Sequence, residues 1–324
     1  MLQDNFGRKI DYLRLSVTDR CNLRCRYCMR KEGIGYLAQY EILTLKEIAR
    51  IARVFARCGI VKIRLTGGEP LLRQDIAAIM RSIFDHGGIR DICLTTNGVL
   101  LKDKAASLKA AGLRKINISL DTLKRDRFAF ISRGDFLNNV LSGVDEAVNA
   151  GFLVKLNVVA IKGVNDDEIL DFVEFCQKKK IILRFIELMP VSANFNLGDC
   201  RYLSRRDIEK VLRTLGALTP QGQLGSGPAD YYGMPGFLHP VGFISAMSGK
   251  FCFRCNRLRI SAKGEIFPCL SSRRKINLRN YLRSGASDEE LMALIKQSVA
   301  DKPREHCLNQ GENVLTSFMS VIGG

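Results

Sequence analysis

Between residues 12 and 188 the chain alternates short apolar, β-branched runs with longer stretches whose apolar residues return every three or four positions. The short runs predict strands over 12–17, 62–66, 92–95, 115–120, 154–160 and 182–188. The longer stretches predict helices. Ile48, Ile51, Ala52 and Phe55 share one helical face, as do Ile169, Phe172, Val173 and Cys176. Asn165, with Glu168 three residues on, reads as an N-cap and capping-box partner for the second of these. Strand–helix repetition predicts a parallel sheet with right-handed crossovers. Six units make an incomplete (β/α)6 TIM-type barrel, since an ordinary one closes with eight.

The pattern changes after Met189 and Pro190. Residues 219–250 are rich in Gly, Pro and Ser and read as loops. Residues 258–261 and 265–267 flank Ala262, Lys263 and Gly264, which predicts a hairpin. Residues 287–299 read as a helix capped by Ser287, with acids in its first turn. The expected division is a barrel over 1–190 and a C-terminal region over 191–324.

Composition narrows the class. A chain of 324 residues has room for one large domain or two ordinary ones. It holds no apolar run of about eighteen residues, so no membrane span is expected. The N-terminus lacks the apolar core of a secretory signal, and a cytoplasmic protein is expected. Eleven cysteines then read as thiols and metal ligands, not as a disulfide framework. The net charge of +17, from 50 Lys and Arg against 33 Asp and Glu, favours polyanionic partners. The basic residues are scattered, and the tightest run is Lys178, Lys179 and Lys180. No basic stripe is interleaved with aromatics, so nucleic acid is not the expected partner. Much of the charge solvates surface.

Two cysteine sets carry the chemistry. Cys21, Cys25 and Cys28 form a CxxxCxxC triplet; Cys252 and Cys255 form a CxxC, with Cys269 after thirteen further residues. Each set offers three thiols, whereas a closed zinc site or an ordinary iron–sulfur cluster takes four ligands. A three-thiol site leaves one metal position for a substrate or cofactor. CxxxCxxC is not a usual zinc spacing, and His86, His239 and His306 do not sit at zinc-like spacing either. The second set fits zinc or iron–sulfur equally on spacing alone. Cys58, Cys93 and Cys176 read as small buried hydrophobes; Cys200 and Cys307 fall in undefined regions.

Polar and glycine residues gather at the carboxyl ends of the predicted strands, where parallel-sheet enzymes bind ligands. Thr66, Gly67, Gly68, Glu69 and Pro70 end the second; Thr95 to Gly98 the third; Ser119 and Asp121 the fourth; Met189 the sixth. Turn formation explains any one of these but not the set. Arg14, Lys62, Arg64 and Lys155 lie inside predicted strands, where a cation either faces outward at a strand end or points into a lumen. Arg257 and Arg259, beside Cys255, add donors for a phosphate or a purine edge. The terminal Gly323 and Gly324 read by default as a frayed tail.

The first triplet, with Tyr27 before its third cysteine, resembles the signature of radical S-adenosylmethionine enzymes. Gly67 to Pro70 resembles the segment that holds that cofactor's amino group. The second triplet, set in Phe251 to Arg259 and joined by the terminal glycine pair, resembles the GTP 3′,8-cyclase family, which opens molybdenum cofactor biosynthesis. The resemblance runs from Arg14 to Gly324. It is weakest over 190–199, and Gly249 and Lys250 stand where many relatives have a histidine.

The resemblance implies a lyase with two [4Fe-4S] clusters, one on Cys21, Cys25 and Cys28, the other on Cys252, Cys255 and Cys269. It implies S-adenosylmethionine contacts from Tyr27, Gly68, Ser119 and Met189. It implies GTP contacts from Arg14, Arg64, Thr95, Lys155, Arg257, Leu258 and Arg259, and roles in the reaction for Arg257, Arg259, Gly323 and Gly324. It reverses the default reading of the tail. A 5′-deoxyadenosyl radical would remove the ribose C3′ hydrogen, and C3′ would bond to guanine C8. It also implies an electron donor, a homodimer, and transfer of the product to cyclic pyranopterin monophosphate synthase.

Overall fold

The computed structural model describes residues 1–85, 87–190, 202–308 and 319–323, so His86, Cys200 and Gly324 lie outside the described residues. Six parallel strands stand in chain order at its centre: β1 (Tyr12–Ser16), β2 (Lys62–Thr66), β3 (Asp91–Thr96), β4 (Lys115–Ser119), β5 (Leu153–Ala160) and β6 (Ile182–Glu187). Between them run α1 (Leu45–Arg57), α2 (Ile76–Asp85), α3 (Leu101–Ala110), α4 (Arg125–Ser132), α5 (Leu137–Asn149) and α6 (Ile169–Lys179). The six expected strands are all present, and the sequence-predicted boundaries shift by one residue at most.

The region expected to be loops is structured. After α7 (Arg205–Leu212), it contains β7 (Thr219–Gly222), β8 (Asp230–Gly233) and β9 (Val241–Ile244). The expected hairpin is formed by β10 (Arg257–Ile260) and β11 (Glu265–Phe267), followed by β12 (Ile276–Asn277), α8 (Leu278–Arg283), α9 (Asp288–Ala300) and α10 (Met319–Ile322). β9 pairs in parallel with β6, and β10 in parallel with β1. The six-strand barrel is therefore extended on both edges to eight parallel strands. The sheet order is β12-β11-β10-β1-β2-β3-β4-β5-β6-β9-β8-β7. No pairing among the described residues joins β9 to β10, so the barrel is open there. Loop-like composition hid β9 because its four residues gain their order from pairing with β6 and β8, not from local pattern.

Alternation along the central strands separates two buried faces. Leu13 and Leu15 on β1, Ile63 and Leu65 on β2, Ile116 and Ile118 on β4, and Leu183 and Phe185 on β6 belong to the main apolar core. That core takes in Ile48, Ile51 and Phe55 of α1 and Phe172 and Val173 of α6. The intervening residues face the lumen and are polar: Tyr12 and Arg14, Arg64 and Thr66, Asn117 and Ser119, Asn157, Arg184. The apolar layer supplies the burial energy, and the lumen is left free for chemistry.

Side-chain caps follow the sequence rule at α1, α7, α8 and α9. Thr44 accepts from the Glu47 amide at the start of α1, and Ser287 from the Glu290 amide at the start of α9. The expected cap by Asn165 does not form. A 3-10 turn, Asp166–Glu168, precedes α6, and neither side chain caps it. Asn165 instead donates to the carbonyls of Asp121 (2.6 Å) and Val159 (2.8 Å). Glu168 accepts from the Thr122 hydroxyl at 2.7 Å and the Leu123 amide at 2.7 Å. Tertiary partners at the ends of β4 and β5 outcompete the local cap. No helix among the described residues is long and apolar enough to cross a membrane.

One close approach locks α5 to the loop after β3. A Cβ on Gly143 would stand 2.5 Å from the Gly98 carbonyl oxygen and 3.1 Å from Leu101 Cβ. Gly143→Val is expected to destabilise the apoprotein by about 1–3 kcal/mol through overpacking. The urea midpoint should fall; an unchanged midpoint would show that α5 can move away freely.

Candidate active site

A cavity of about 350 Å³ opens from the lumen, and all six cysteines of the two triplets line it. Sites read as remote in sequence therefore face one space. Its wall also includes Tyr27, Gly68, Ser119 and Met189, and Arg14, Arg64, Thr95, Arg257 and Arg259. Lys155 is not among the lining residues; its Nζ donates to the Tyr231 hydroxyl at 3.2 Å. Leu258 is fully buried in the main core, so its side chain is turned away from the cavity. The Gly323 carbonyl accepts from Arg259 Nη1 at 2.7 Å and from Arg14 Nε at 3.4 Å, which places the tail at the lumen.

The first triplet leaves β1 and is held against the loop that follows β2. The Gly68 amide donates to the Thr18 carbonyl at 2.8 Å and the Glu69 amide to the Arg20 carbonyl at 2.7 Å. A Cβ on Gly68 would lie 2.3 Å from the Arg20 oxygen, so only glycine permits this contact. The Glu69 carboxylate accepts from the Thr96 hydroxyl and the Asn97 amide, each at 2.7 Å. Asn97 Nδ2 reaches Asn22 Oδ1 at 2.8 Å and approaches Cys21 Sγ at 3.9 Å. The loops after β1, β2 and β3 are thereby one hydrogen-bonded unit. Tyr27 is fixed from β4 and β5: its hydroxyl donates to Asp121 Oδ2 at 2.6 Å, and Asp121 Oδ1 accepts from the Val159 amide at 2.8 Å.

Burial pushes the Cys21 thiol up to about 11 and the Cys28 thiol up to about 12. Burial and then the neighbouring Cys28 and Asp121 hold Cys25 well above the ordinary thiol range. Three part-buried thiolates do not readily stand together unless a cationic group shares their charge. That donor set fits a metal cluster. In the second triplet burial raises Cys252. Burial acts the same way on Cys255, but the charges of Arg257 and Lys302 outweigh it and bring that thiol down to about 6. No three His, Cys, Asp or Glu side chains among the described residues are arranged to hold a single ion. A four-iron cube takes its thiolates at separate corners and does not require that convergence.

The lumen between the triplets is strongly cationic. Arg259 pairs with Arg14 across β10 and β1, and Arg14 with Arg64 across β1 and β2. Burial, then the Arg257 charge, pulls Arg259 down to about 10; burial and Arg259 lower Arg14 well below its usual value. A guanidinium keeps its proton at working pH, so this repulsion is expressed as a demand for anions. Arg64 donates to the Tyr12 hydroxyl, and its Nη1 to Thr95 Oγ1 at 3.1 Å. Buried Arg184 has two guanidinium nitrogens, Nε and Nη2, with no hydrogen-bond partner among the described residues, and Asn157 Oδ1 is likewise unpaired. Both residues line the cavity.

Two family models match the chain: "Radical SAM superfamily" over residues 15–176, and "Molybdenum Cofactor Synthesis C" over residues 181–308. A protein of Pelotomaculum thermopropionicum named GTP 3′,8-cyclase is 45% identical over 326 residues, spanning 100% of both chains. One of Thermodesulfovibrio yellowstonii with the same name is 46% identical, again over 100% of both. The chain belongs to the GTP 3′,8-cyclase family of radical SAM enzymes. Among solved structures, Streptococcus suis SuiB bound to S-adenosylmethionine matches with a TM-score of 0.62, over 89% of this chain and 68% of that one, at 18% identity. SuiB in another crystal structure matches with a TM-score of 0.64 over 98% of this chain and 76% of that one, at 16% identity. That likeness is one of fold. Radical SAM enzymes use S-adenosylmethionine and a [4Fe-4S] cluster.

Sequence reasoning for this cyclase-family chain missed several cavity residues. Arg184 carried the same signal as Arg14 and Arg64, a cation inside an apolar strand, and sits on β6. Tyr12, Asn117 and Asn157 follow from lumen alternation once the register is known. Lys302 and His306 had no local signal; they reach the cavity wall only through tertiary packing. Cys307 packs instead against a small apolar cluster with Phe267, Leu308 and Ile322.

Two groups give the lumen a pH dependence. Burial, then Arg184, lowers Lys155 to about 8, so it is cationic below that pH and neutral above. Burial raises the Tyr12 phenol, but Arg64, Arg14 and Lys62 outweigh it and bring it to about 8, so it turns anionic above. Both changes remove positive character as pH rises. Affinity for inorganic triphosphate should fall about 10-fold or more between pH 7 and pH 9, the scale of one charge-assisted contact. Lys155→Met should bind weakly already at pH 7 and show a flatter profile by calorimetry. A pH-independent affinity in the parent protein would place the anion elsewhere.

Proposed function

We propose that this chain converts GTP to (8S)-3′,8-cyclo-7,8-dihydroguanosine 5′-triphosphate, the first step toward molybdopterin, and that its two cysteine triplets hold two [4Fe-4S] clusters. The observation that carries the reading is that both triplets open into one cavity whose lumen is lined by arginines. The work divides near residue 190. Residues 1–190 would hold the first cluster on Cys21, Cys25 and Cys28. Residues 191–324 would hold the second on Cys252, Cys255 and Cys269.

When bound, the first cluster and S-adenosylmethionine supply an electron and a 5′-deoxyadenosyl radical competent to take the ribose C3′ hydrogen. The protein's part is to hold two molecules at close range and to exclude water. Tyr27, Gly68, Ser119 and Met189 line the part of the cavity assigned to S-adenosylmethionine. The hydrogen bonds of Glu69 and Asp121 keep that wall rigid. Arg14, Arg64 with Thr95, and Lys155 are assigned to the triphosphate. Arg184, with two unpaired donors, joins them. Arg257 and Arg259, on the strand that follows Cys255, bind substrate next to the second triplet, with Leu258 supporting them from the core. Gly323 brings backbone alone to the guanidiniums, and Gly324, outside the described residues, is assigned to the reaction with it. The second triplet's open metal position would bind the guanine. Anchors at both ends fix C3′ and C8 relative to each other.

The remaining expectations belong to this reading: a cytoplasmic enzyme, an external electron donor, a homodimer, and a product consumed by cyclic pyranopterin monophosphate synthase. No nucleic acid or membrane partner is assigned.

Anaerobically reconstituted protein, incubated with GTP, S-adenosylmethionine and a reductant, should yield 5′-deoxyadenosine and the 3′,8-cyclised nucleotide, resolved by chromatography and mass spectrometry. 5′-Deoxyadenosine with intact GTP would overturn the substrate assignment. Arg259→Ala should cut cyclisation by about 100-fold or more, as expected for one buried charge-assisted donor. Removal of Gly323 and Gly324 should abolish turnover while iron content stays unchanged.

A further inference from the structure

The segment 302–306 binds every stretch that bears a cysteine of the second triplet. Lys302 is only 3% exposed. Its Nζ donates to the Arg257 carbonyl at 2.8 Å and to the Pro268 carbonyl at 2.6 Å. The first carbonyl lies two residues beyond Cys255, the second one residue before Cys269. One ammonium thus bridges two of the three stretches. Arg8 binds the third. It is buried, and its Nη1 donates to the Cys252 carbonyl at 2.7 Å and the Arg304 carbonyl at 2.9 Å. Its Nη2 donates to the Pro303 carbonyl at 2.6 Å, and its Nε pairs with Asp4 at 2.5 Å. The main chain of His306 hydrogen-bonds the Cys252 sulfur, and its ring meets the Ala246 carbonyl at 2.9 Å.

We propose that Lys302, with Arg8 behind it, is a positioning residue for the second cluster: it sets the spacing of Cys252, Cys255 and Cys269 and supplies the buried positive charge against which that cluster is held and reduced. The proposal rests on the reading of the second triplet as a cluster site. A lysine is almost never this buried unless something needs its charge. The Asp4 carboxylate already neutralises Arg8, whereas the acceptors of Lys302 are neutral carbonyls. Lys302 also lines the cavity, and an ammonium has three donors, of which these two carbonyls take two. The third has no protein partner among the described residues. Two carbonyls could be bridged by a neutral amide; the charge is what a cluster would use. A thiolate-bound cluster grows more negative on reduction, and a buried cation nearby favours the reduced form.

The test uses the full chain carrying Cys21→Ala, Cys25→Ala and Cys28→Ala, which isolates the second triplet. Reconstituted with iron and sulfide, this parent should hold about four irons. A parent that holds none defeats the cluster reading itself, independently of Lys302. Added to that parent, Lys302→Met should speed loss of iron to a chelator by about 10–100-fold, the usual effect of removing an outer-shell partner. It should also make the midpoint potential more negative in a titration followed by electron paramagnetic resonance. Lys302→Arg, which keeps the charge, should return the potential toward the parent's. A potential that stays at the parent's value in Lys302→Met overturns the proposal, even where retention falls. If Lys302→Met does not fold by circular dichroism, Lys302→Gln carries the same comparison, because it keeps a donor and drops the charge.

Discussion

The cationic lumen is buried, and its positive charges repel one another. Arg259, Arg14 and Arg64 are consecutive neighbours across three strands, and Arg184 adds another guanidinium with open donors. Like charges at such spacing destabilise a folded chain unless something offsets them. Tyr12 and Thr95 offset part by accepting from Arg64. The rest must be carried by the apolar layer outside the barrel, where Leu13, Leu15, Ile63 and Leu65 are fully buried against helices. The same alternation therefore stabilises the fold with one face and stores the demand for an anion in the other. A polyphosphate entering this lumen relieves repulsion and gains charge-assisted hydrogen bonds in one step.

The thiols pose the matching problem. Burial holds Cys21, Cys25 and Cys28 protonated without a metal partner. The thiols and the arginines share one cavity, so whatever offsets one set of charges acts on the other. The loops that carry the first triplet are rigid before anything binds, because Gly68, Glu69 and Asn97 connect the ends of β1, β2 and β3. Rigidity here means that binding energy is not spent on ordering the loop.

The six central strands and the helices between them were legible because apolar residues recur with the periods of strand and helix. The first triplet and the Gly67–Pro70 loop were legible because each is contiguous. What stayed hidden depends on pairing between distant segments. β9 is four residues in a Gly- and Pro-rich stretch, and pairing with β6 on one side and β8 on the other makes it a strand. Arg184 was passed over although its pattern matched Arg64. Asn165 and Glu168 were misread for the opposite reason: the local rule for a cap was satisfied, but the carbonyls of Asp121 and Val159 and the hydroxyl of Thr122 were stronger partners. Lys302 gives no local sign at all, since its acceptors lie 45 and 34 residues away in the chain.

The pairing of β10 with β1 joins these problems. It sets Arg257 beside Tyr12 and Arg259 beside Arg14, so the cationic row exists only when the C-terminal hairpin has docked on the first barrel strand. The same hairpin carries Cys255 at its entry and Cys269 just past its exit. Docking therefore completes the second triplet and the arginine row together, and neither is formed by the six-strand barrel alone. The tail completes the arrangement. Gly323 has φ +76 and lies so close to β1 and β2 that a Cβ would meet Thr66 Cγ2 at 2.9 Å. Its carbonyl occupies Arg259 and touches Arg14, the two guanidiniums whose mutual repulsion is among the most exposed to relief by an anion. A neutral carbonyl offsets that repulsion only partly, so the arginine row still favours an anion.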